Sequence, residues 1–484
     1  MGKNILIFSD GTGQAGGLLP DEMRSNIYKL YRATRCGPDT TIDPALQLAF
    51  YDPGLGSQTD GGRLRLGLWR RLRNVLSQAT GLGITDNIID CYAEIVRMWE
   101  PGDRIYLFGF SRGAYTVRCV AGVLGLCGVP TRMKDGSPLR RDPDSARAIA
   151  KEAVKQVYRY GASIEGDPFQ ELRQERAKRF RADYGSDQDG RANEYPYFIG
   201  VFDTVAALGV APPVRVALAA SAACLLAGTA AGLAWWLSTW LTFVIAGVPA
   251  LAAVIAYLAT HLRYHPVKKK LYRAAWSMRF YDSRLSRRVG YARHALSIDE
   301  SRANFAPVRW TNAGDARRRE SSEPPRLRQV WFAGNHSDIG GSYEENGSRL
   351  SDIALQWMIE QAKEVPHPIH INESVLRLYP SATGPQHDEC KKRFPGLWGA
   401  LGFKWPVKHR SLLIAPLHPS VLERFAAPAV LQYDVMMPYR PEALREHVLV
   451  KQHYEAAADA ATPPKRGSSV RSARRAVLAE AGNN

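Results

Sequence analysis

An apolar run from Arg104 to Phe108 leads into Gly109-Phe110-Ser111-Arg112-Gly113, and a small, apolar segment at helical spacing follows from Ala114 to Leu126. A strand that becomes a helix across a serine with glycine two residues to either side is the pattern of a nucleophile elbow. The two glycines give the backbone room for a tight turn, so the Ser111 hydroxyl projects at the carboxyl edge of a sheet instead of into the core. In such a turn the backbone N–H of Arg112 faces a developing oxyanion.

The surrounding periodicity places this elbow in an α/β fold. Strands are expected at Ile5 to Phe8, Gln47 to Tyr51, Tyr197 to Phe202 and Leu327 to Phe332, with helices near Ser25 to Arg35, Thr85 to Trp99 and Leu350 to Lys363. Alternation of this kind predicts a mostly parallel sheet flanked by helices. Asp142 to Ala182 is charged and helix-rich and reads as a cap or insertion, and Ala274 to Leu285 also reads as helical.

Composition narrows the function classes. The formal charge of +17 favours polyanionic surfaces, but no nucleic-acid-binding motif accompanies it, so no nucleic-acid partner is expected. Six cysteines without Cys-x-x-Cys spacing argue against a zinc site and a disulfide framework, as for reduced thiols in a cytosol-facing protein. The N-terminus carries no secretory signal, and Leu6 stands where a myristoylation motif needs Ser or Thr.

From Val216 to Leu262, about 47 residues pass without Asp, Glu, Lys or Arg, beyond the roughly 18 that mark one membrane span. The stretch predicts a two-helix transmembrane hairpin, Val216 to Trp236 and Trp240 to Leu262, with Trp235, Trp236 and Trp240 in an aromatic belt. Arg215 on one flank and Arg263, Lys268, Lys269, Lys270 and Arg273 on the other place both soluble parts on the cytoplasmic side of a membrane, as in a bacterial inner membrane. The expected organisation is a first hydrolase half at 1–213, the hairpin at 214–265, a second half with C-terminal elaboration at 266–453 and a disordered basic tail at 454–484.

A serine nucleophile needs a base within hydrogen-bond reach and a carboxylate to orient that base. Asp203 after the strand Tyr197 to Phe202 and His336 in the Gly-rich loop after Leu327 to Phe332 fit those roles in chain order. His294 is the main rival for the base, and Asp203 also reads as a helix N-cap. The turn Ser9-Asp10-Gly11-Thr12-Gly13 follows the first strand, and its backbone N–H groups would supply a second oxyanion donor, with Asp10, Gly11 and Thr12 in supporting roles. A different reading joins Asp10, Asp203, His336 and Asp338 as a divalent metal site; no metal and no cofactor are expected on the serine reading.

Six blocks occur together and in order: Asp10-Gly11-Thr12, Tyr51-Asp52-Pro53-Gly54-Leu55-Gly56, Gly109 to Tyr115, Phe202-Asp203-Thr204-Val205, His294-Ala295-Leu296-Ser297-Ile298-Asp299-Glu300 and His336-Ser337-Asp338-Ile339-Gly340-Gly341. From about Lys3 to Lys363 the chain resembles the uncharacterised α/β-hydrolase domain family that includes type VI secretion phospholipase effectors. The resemblance implies a Ser-Asp-His hydrolase with Ser111 as nucleophile, Asp203 as acid and His336 as base, and phospholipid ester cleavage as the best-known activity. Ala206, Ile339 and Gln14 depart from the family pattern without removing a catalytic group. The expected function is a membrane-anchored serine esterase or lipase acting on carboxylic esters, phospholipid acyl esters among them, with membrane lipid as partner. A non-catalytic membrane-bound scaffold and a metal-dependent phosphoesterase are the alternatives.

Overall fold

Successive residues of the first strand, β1 (Asn4–Ser9), send their side chains to opposite faces, and each face meets its own core. Ile5 and Ile7 join one apolar cluster; Leu6 and Phe8 join another. The computed structural model describes residues 2–11, 23–53, 83–161, 167–205, 251, 262–273, 284–311, 324–390 and 405–454.

Six parallel strands form the central sheet: β1, β2 (Gln47–Asp52), β3 (Arg104–Phe110), β4 (Pro196–Phe202), β5 (Tyr291–Ser297) and β6 (Leu327–Phe332), in the spatial order β6-β5-β4-β3-β1-β2. Parallel pairing requires crossovers; helices supply those that lead from β1 to β4, and helices pack on both faces of the sheet. Helices α2 (Gly83–Met98), α3 (Arg112–Cys127), α4 (Pro143–Glu152) and α5 (Gln170–Tyr184) bury Ile88, Ile95, Val120, Leu124, Ile149 and Phe180 in the cluster that holds Ile105 and Leu107. Helices α1 (Asn26–Thr34) and α6 (Arg349–Lys363) bury Ile27, Leu30, Ile353 and Met358 against Phe108 and Phe198 on the other face. Cross-strand partners Phe8 and Phe108 stack with ring centroids 5.1 Å apart.

The strand order fixes where a ligand would go. The chain moves outward from β1 to β2, then returns past β1 to β3 and continues the other way, so its direction reverses between β1 and β3. Open parallel sheets bind ligands outside the carboxyl ends of strands at such a reversal. Asp10 and Gly11 follow β1 there, and Ser111 follows β3.

A third cluster carries the C-terminal region. Leu412, Val421 and Phe425 of helix α7 (Pro419–Ala426) and its approach, with Val430, Tyr439 and Leu444, pack on Leu296, Ile298, Trp331 and Ala333 at the carboxyl ends of β5 and β6. Residues 412–454, part of a region that periodicity leaves unordered, are therefore built onto the sheet through a shared core.

The integral-membrane placement is corrected: among the described residues no helix is long and apolar enough to cross a membrane. The proposed spans, Val216 to Trp236 and Trp240 to Leu262, lie outside the described residues apart from Leu251 and Leu262. Leu262, expected to end the second span, instead opens a strand, Leu262–His265, paired antiparallel with Lys270–Arg273. Arg263 of the basic flank packs on protein, donating to the carbonyls of Arg159 and Tyr160, and the neighbouring His265 pairs with the carbonyl of Pro168. The expected helix at Ala274 to Leu285 and the tail from 455 onward also lie outside the described residues, save Arg284 and Leu285.

Candidate active site

Ser111 occupies φ 57°, ψ −117°, a conformation that L residues rarely adopt and that marks backbone strain at a functional turn. The strain is held from three sides. The Ser111 N–H donates to the carbonyl of Phe202 at 3.1 Å, tying the elbow to the end of β4. A Cβ on Gly113 would lie 1.9 Å from the Ser9 carbonyl oxygen, and one on Gly109 would lie 2.6 Å from the backbone nitrogen of Ala114. Glycine at both positions is what lets strand, helix and neighbouring loop approach this closely.

Asp203 is the first residue after β4 and is fully buried, with φ 33°. Its N–H donates to the carbonyl of Ala295, so the acid is anchored to the next strand. Oδ2 accepts a hydrogen bond from His336 Nδ1 at 2.7 Å. Oδ1 accepts from the Ser297 N–H at 3.1 Å, and Arg410 spans both oxygens, Nη1 to Oδ1 at 2.8 Å and Nη2 to Oδ2 at 3.1 Å. Burial opposes the charge on this carboxylate, but the Arg410 guanidinium and the His336 hydrogen bond outweigh it and hold Asp203 below the usual carboxylate range.

His336 begins a single-turn helix, His336–Gly340, whose cap is specified locally. Asn335 accepts from the N–H groups of Ser337 and Asp338, while Asp338 accepts from the Asn335 N–H, a reciprocal capping box. The imidazole sits between Phe110, centroids 4.7 Å apart, and Phe305, 5.1 Å apart. Its Nδ1 is committed to Asp203, and its Nε2 is buried without a hydrogen-bond partner among the described residues. A base oriented through one nitrogen with the other left unengaged is the arrangement that general-base work requires.

His294 has a different character. It lies within β5, fully buried, and its Nε2 accepts the Thr204 N–H at 3.2 Å. Burial, reinforced by the charge of Arg118, pushes it down to about 3. It is a neutral histidine within the core.

The supporting loop only partly matches expectation. Gly11 is beside the elbow, its Cβ position 3.6 Å from the Ser111 Cβ. Its N–H, however, donates to Asp10 Oδ1 at 2.7 Å, so the Asp10 side chain has taken the donor expected for an oxyanion. Asp10 Oδ2 in turn accepts from Ser25 and from the Tyr51 hydroxyl. Thr12 lies outside the described residues. Arg112 is the first residue of α3, a position whose N–H has no acceptor within the helix. Its guanidinium is partly buried, and burial lowers it to about 10.

The metal alternative loses its ligands to these contacts. Asp10 serves its own turn, Asp203 serves His336 and Arg410, and Asp338 pairs with His387 at 2.7 Å. Among the described residues no three His, Cys, Asp or Glu side chains are grouped to hold a metal ion.

A family model described as "T6SS, Phospholipase effector Tle1-like, catalytic domain" matches residues 3–361, which span β1 to α6 and include Ser111, Asp203 and His336. The chain belongs to this family. An uncharacterised protein of Saccharomyces cerevisiae is 36% identical over 132 residues, 26% of this chain and 18% of that protein. Among solved structures, an uncharacterised protein from Pseudomonas aeruginosa aligns at TM-score 0.34 and 17% identity, covering 78% of this chain and 48% of the other. A Tle1 effector bound to the VgrG spike of the type 6 secretion system aligns at TM-score 0.31 and 18% identity, covering 72% and 53%. The chain thus spans about half the length of these solved relatives, and less of the yeast one.

Arg410 lies beyond the Tle1-like segment, and sequence reading missed it. Lys408-His409-Arg410 looks like any short basic run, and only the fold carries it to Asp203. Ser297 and Glu300 fall inside a recognised block, but their roles, holding Asp203 Oδ1 and the His336 N–H, need the three-dimensional arrangement.

Proposed function

We propose that this chain is a serine hydrolase of the α/β-hydrolase type that cleaves carboxylic esters, with phospholipid acyl esters as its substrate class. The observation that carries this reading is the Asp203–His336 hydrogen bond, made at the sheet edge where Ser111 sits in a strained elbow. Membership of the phospholipase-effector-like family supports the lipid substrate.

In this mechanism the Ser111 hydroxyl attacks the ester carbonyl carbon while His336 Nε2 takes its proton. Asp203 holds the imidazole in the tautomer with Nδ1 protonated and stabilises the cation that forms. The oxyanion of the tetrahedral intermediate meets the Arg112 N–H at the positive end of α3. Collapse breaks the ester C–O bond, and His336 returns the proton to the departing alcohol, a lysophospholipid when the substrate is a phospholipid. Water, deprotonated by the same imidazole, then releases the fatty acid and restores Ser111.

Fluorophosphonate labelling tests the reading directly. The wild-type chain should label and Ser111→Ala should not, with both showing the same circular dichroism spectrum. Absence of labelling in folded wild type, or equal labelling of Ser111→Ala, would overturn it.

A further inference from the structure

The Asp203 carboxylate is unusually well held for a group that only needs to orient a histidine, and its strongest contact comes from far along the chain. Arg410 places one guanidinium nitrogen on each carboxylate oxygen. The same two nitrogens donate to the carbonyls of Ser297 and Phe305, so the fork is fixed to the loop that follows β5. Bidentate guanidinium–carboxylate pairing fixes angle as well as distance, which a single hydrogen bond does not.

Backbone pairing presents Arg410 from both directions. On the N-terminal side, the Ala303 N–H donates to the Pro406 carbonyl, the Lys408 N–H donates to the Ser301 carbonyl, and Arg302 bridges to Val407. On the C-terminal side, the Leu412 N–H donates to the Ala443 carbonyl and the Trp331 N–H to the Pro416 carbonyl. The segment is thus pinned to the carboxyl ends of β5 and β6 by hydrogen bonds and by the third apolar cluster. Arg410 itself is buried.

We propose that Arg410 is a positioning residue for the hydrolytic site, its guanidinium fixing the Asp203 carboxylate against His336, so that a segment beyond the Tle1-like match completes the active centre. The inference rests on the serine-hydrolase reading above. Among the described residues, the titratable and charged groups around Asp203 besides Arg410 are His336 from the loop after β6, neutral His294 from β5 with Arg118 of α3 beside it, and Glu300, which is neutralised by Arg302. Arg410 is the cation in contact with the carboxylate. Without it, burial would favour a protonated Asp203, which cannot hold the imidazole in the working tautomer.

The test uses the full chain and p-nitrophenyl butyrate. Arg410→Gln should lower kcat about ten- to a hundredfold with little change in KM, as a misdirected base does. The acid limb of its pH–rate profile should move up by about one pH unit, because the charge that keeps Asp203 ionised is gone. Arg410→Lys, which keeps the charge, should hold the acid limb near its wild-type position. In an Asp203→Asn background, Arg410→Gln should cause no further loss of kcat.

A folded Arg410→Gln with wild-type kcat and acid limb overturns the proposal, as does a further loss of kcat in the Asp203→Asn background. Equal acid limbs in folded Arg410→Gln and Arg410→Lys overturn it too. If Arg410→Gln alone does not fold, the double variant decides: folding restored by Asp203→Asn supports a role exerted through Asp203, and failure of both to fold assigns Arg410 a purely structural role. Absence of Ser111-dependent turnover in the wild type instead overturns the hydrolase reading and this inference with it.

Discussion

The ring of Phe110 lies 4.7 Å from the imidazole of His336, so the residue before Ser111 packs on that histidine. Phe305 closes the other side at 5.1 Å, which leaves the imidazole little freedom to rotate away from Asp203. Phe110→Ala removes one wall and should lower kcat about tenfold with the fold intact, since small misplacements of a reacting group are costly. Gly340→Ala should act in the same direction, because its Cβ would come 2.0 Å from the Phe110 ring and displace it. Rates of fluorophosphonate labelling measure both, and wild-type rates in folded variants would refute the packing argument.

The elbow makes a second expectation quantitative. A Cβ at Gly113 meets two backbone oxygens, Ser9 at 1.9 Å and Asp10 at 2.6 Å, neither of which can move without disturbing β1. Gly113→Ala should therefore destabilise the protein by about 2–3 kcal/mol. Gly102→Ala is the control: nothing lies within 4 Å of its Cβ, and only the φ of +96° resists, at a cost of about 1 kcal/mol. Thermal denaturation compares them, and equal melting temperatures for the two variants would contradict the close-approach account.

What the sequence conveyed about this fold depended on whether a segment's chemistry was local. Leu327–Phe332 is legible to the residue, and Asn26–Thr34 almost so, because Ser25 caps it and the apolar spacing is regular. β5 was not legible as a strand. All seven of its residues are buried, yet Arg293 and His294 interrupt the apolar pattern, with Arg293 Nε donating to distant Gln361 and His294 Nε2 accepting the distant Thr204 N–H. The same limit applies to the site. Ser111 is announced by its own neighbours, whereas Arg410 is defined by a contact made 207 residues away. The 216–262 stretch shows the converse: hydropathy describes what a segment could do in lipid, and Leu262 pairs in a strand.

Arg112 offers a handle on substrate charge. Its guanidinium belongs to the residue directly after Ser111 and is partly buried; within the described structure it makes no ion pair, and burial alone lowers it to about 10. A cation placed directly after Ser111 is suited to an anionic head group. Arg112→Met should reduce kcat/KM on phosphatidylglycerol vesicles about tenfold or more, the worth of one charge-assisted hydrogen bond, and reduce turnover of uncharged p-nitrophenyl butyrate much less. Equal losses on both substrates would show that the side chain does not read charge.

Asp52 predicts how stability depends on pH. It ends β2, buried, with Oδ2 accepting from Ser9 at 2.8 Å and from Asn87 at 2.8 Å. Burial raises it to about 7 against those hydrogen bonds, and the nearby Asp10 charge adds to the rise. Because the folded state holds this proton more tightly than the unfolded chain, whose carboxyl titrates near 3.9, the stabilisation is full below about pH 4 and is lost as pH rises to about 7. Asp52→Asn cannot titrate and can still accept both hydrogen bonds. Relative to wild type, it should gain on the order of 1–3 kcal/mol between pH 4.5 and pH 8 in urea unfolding. Parallel pH dependences for the two proteins would mean that Asp52 is already ionised in the folded state across that range.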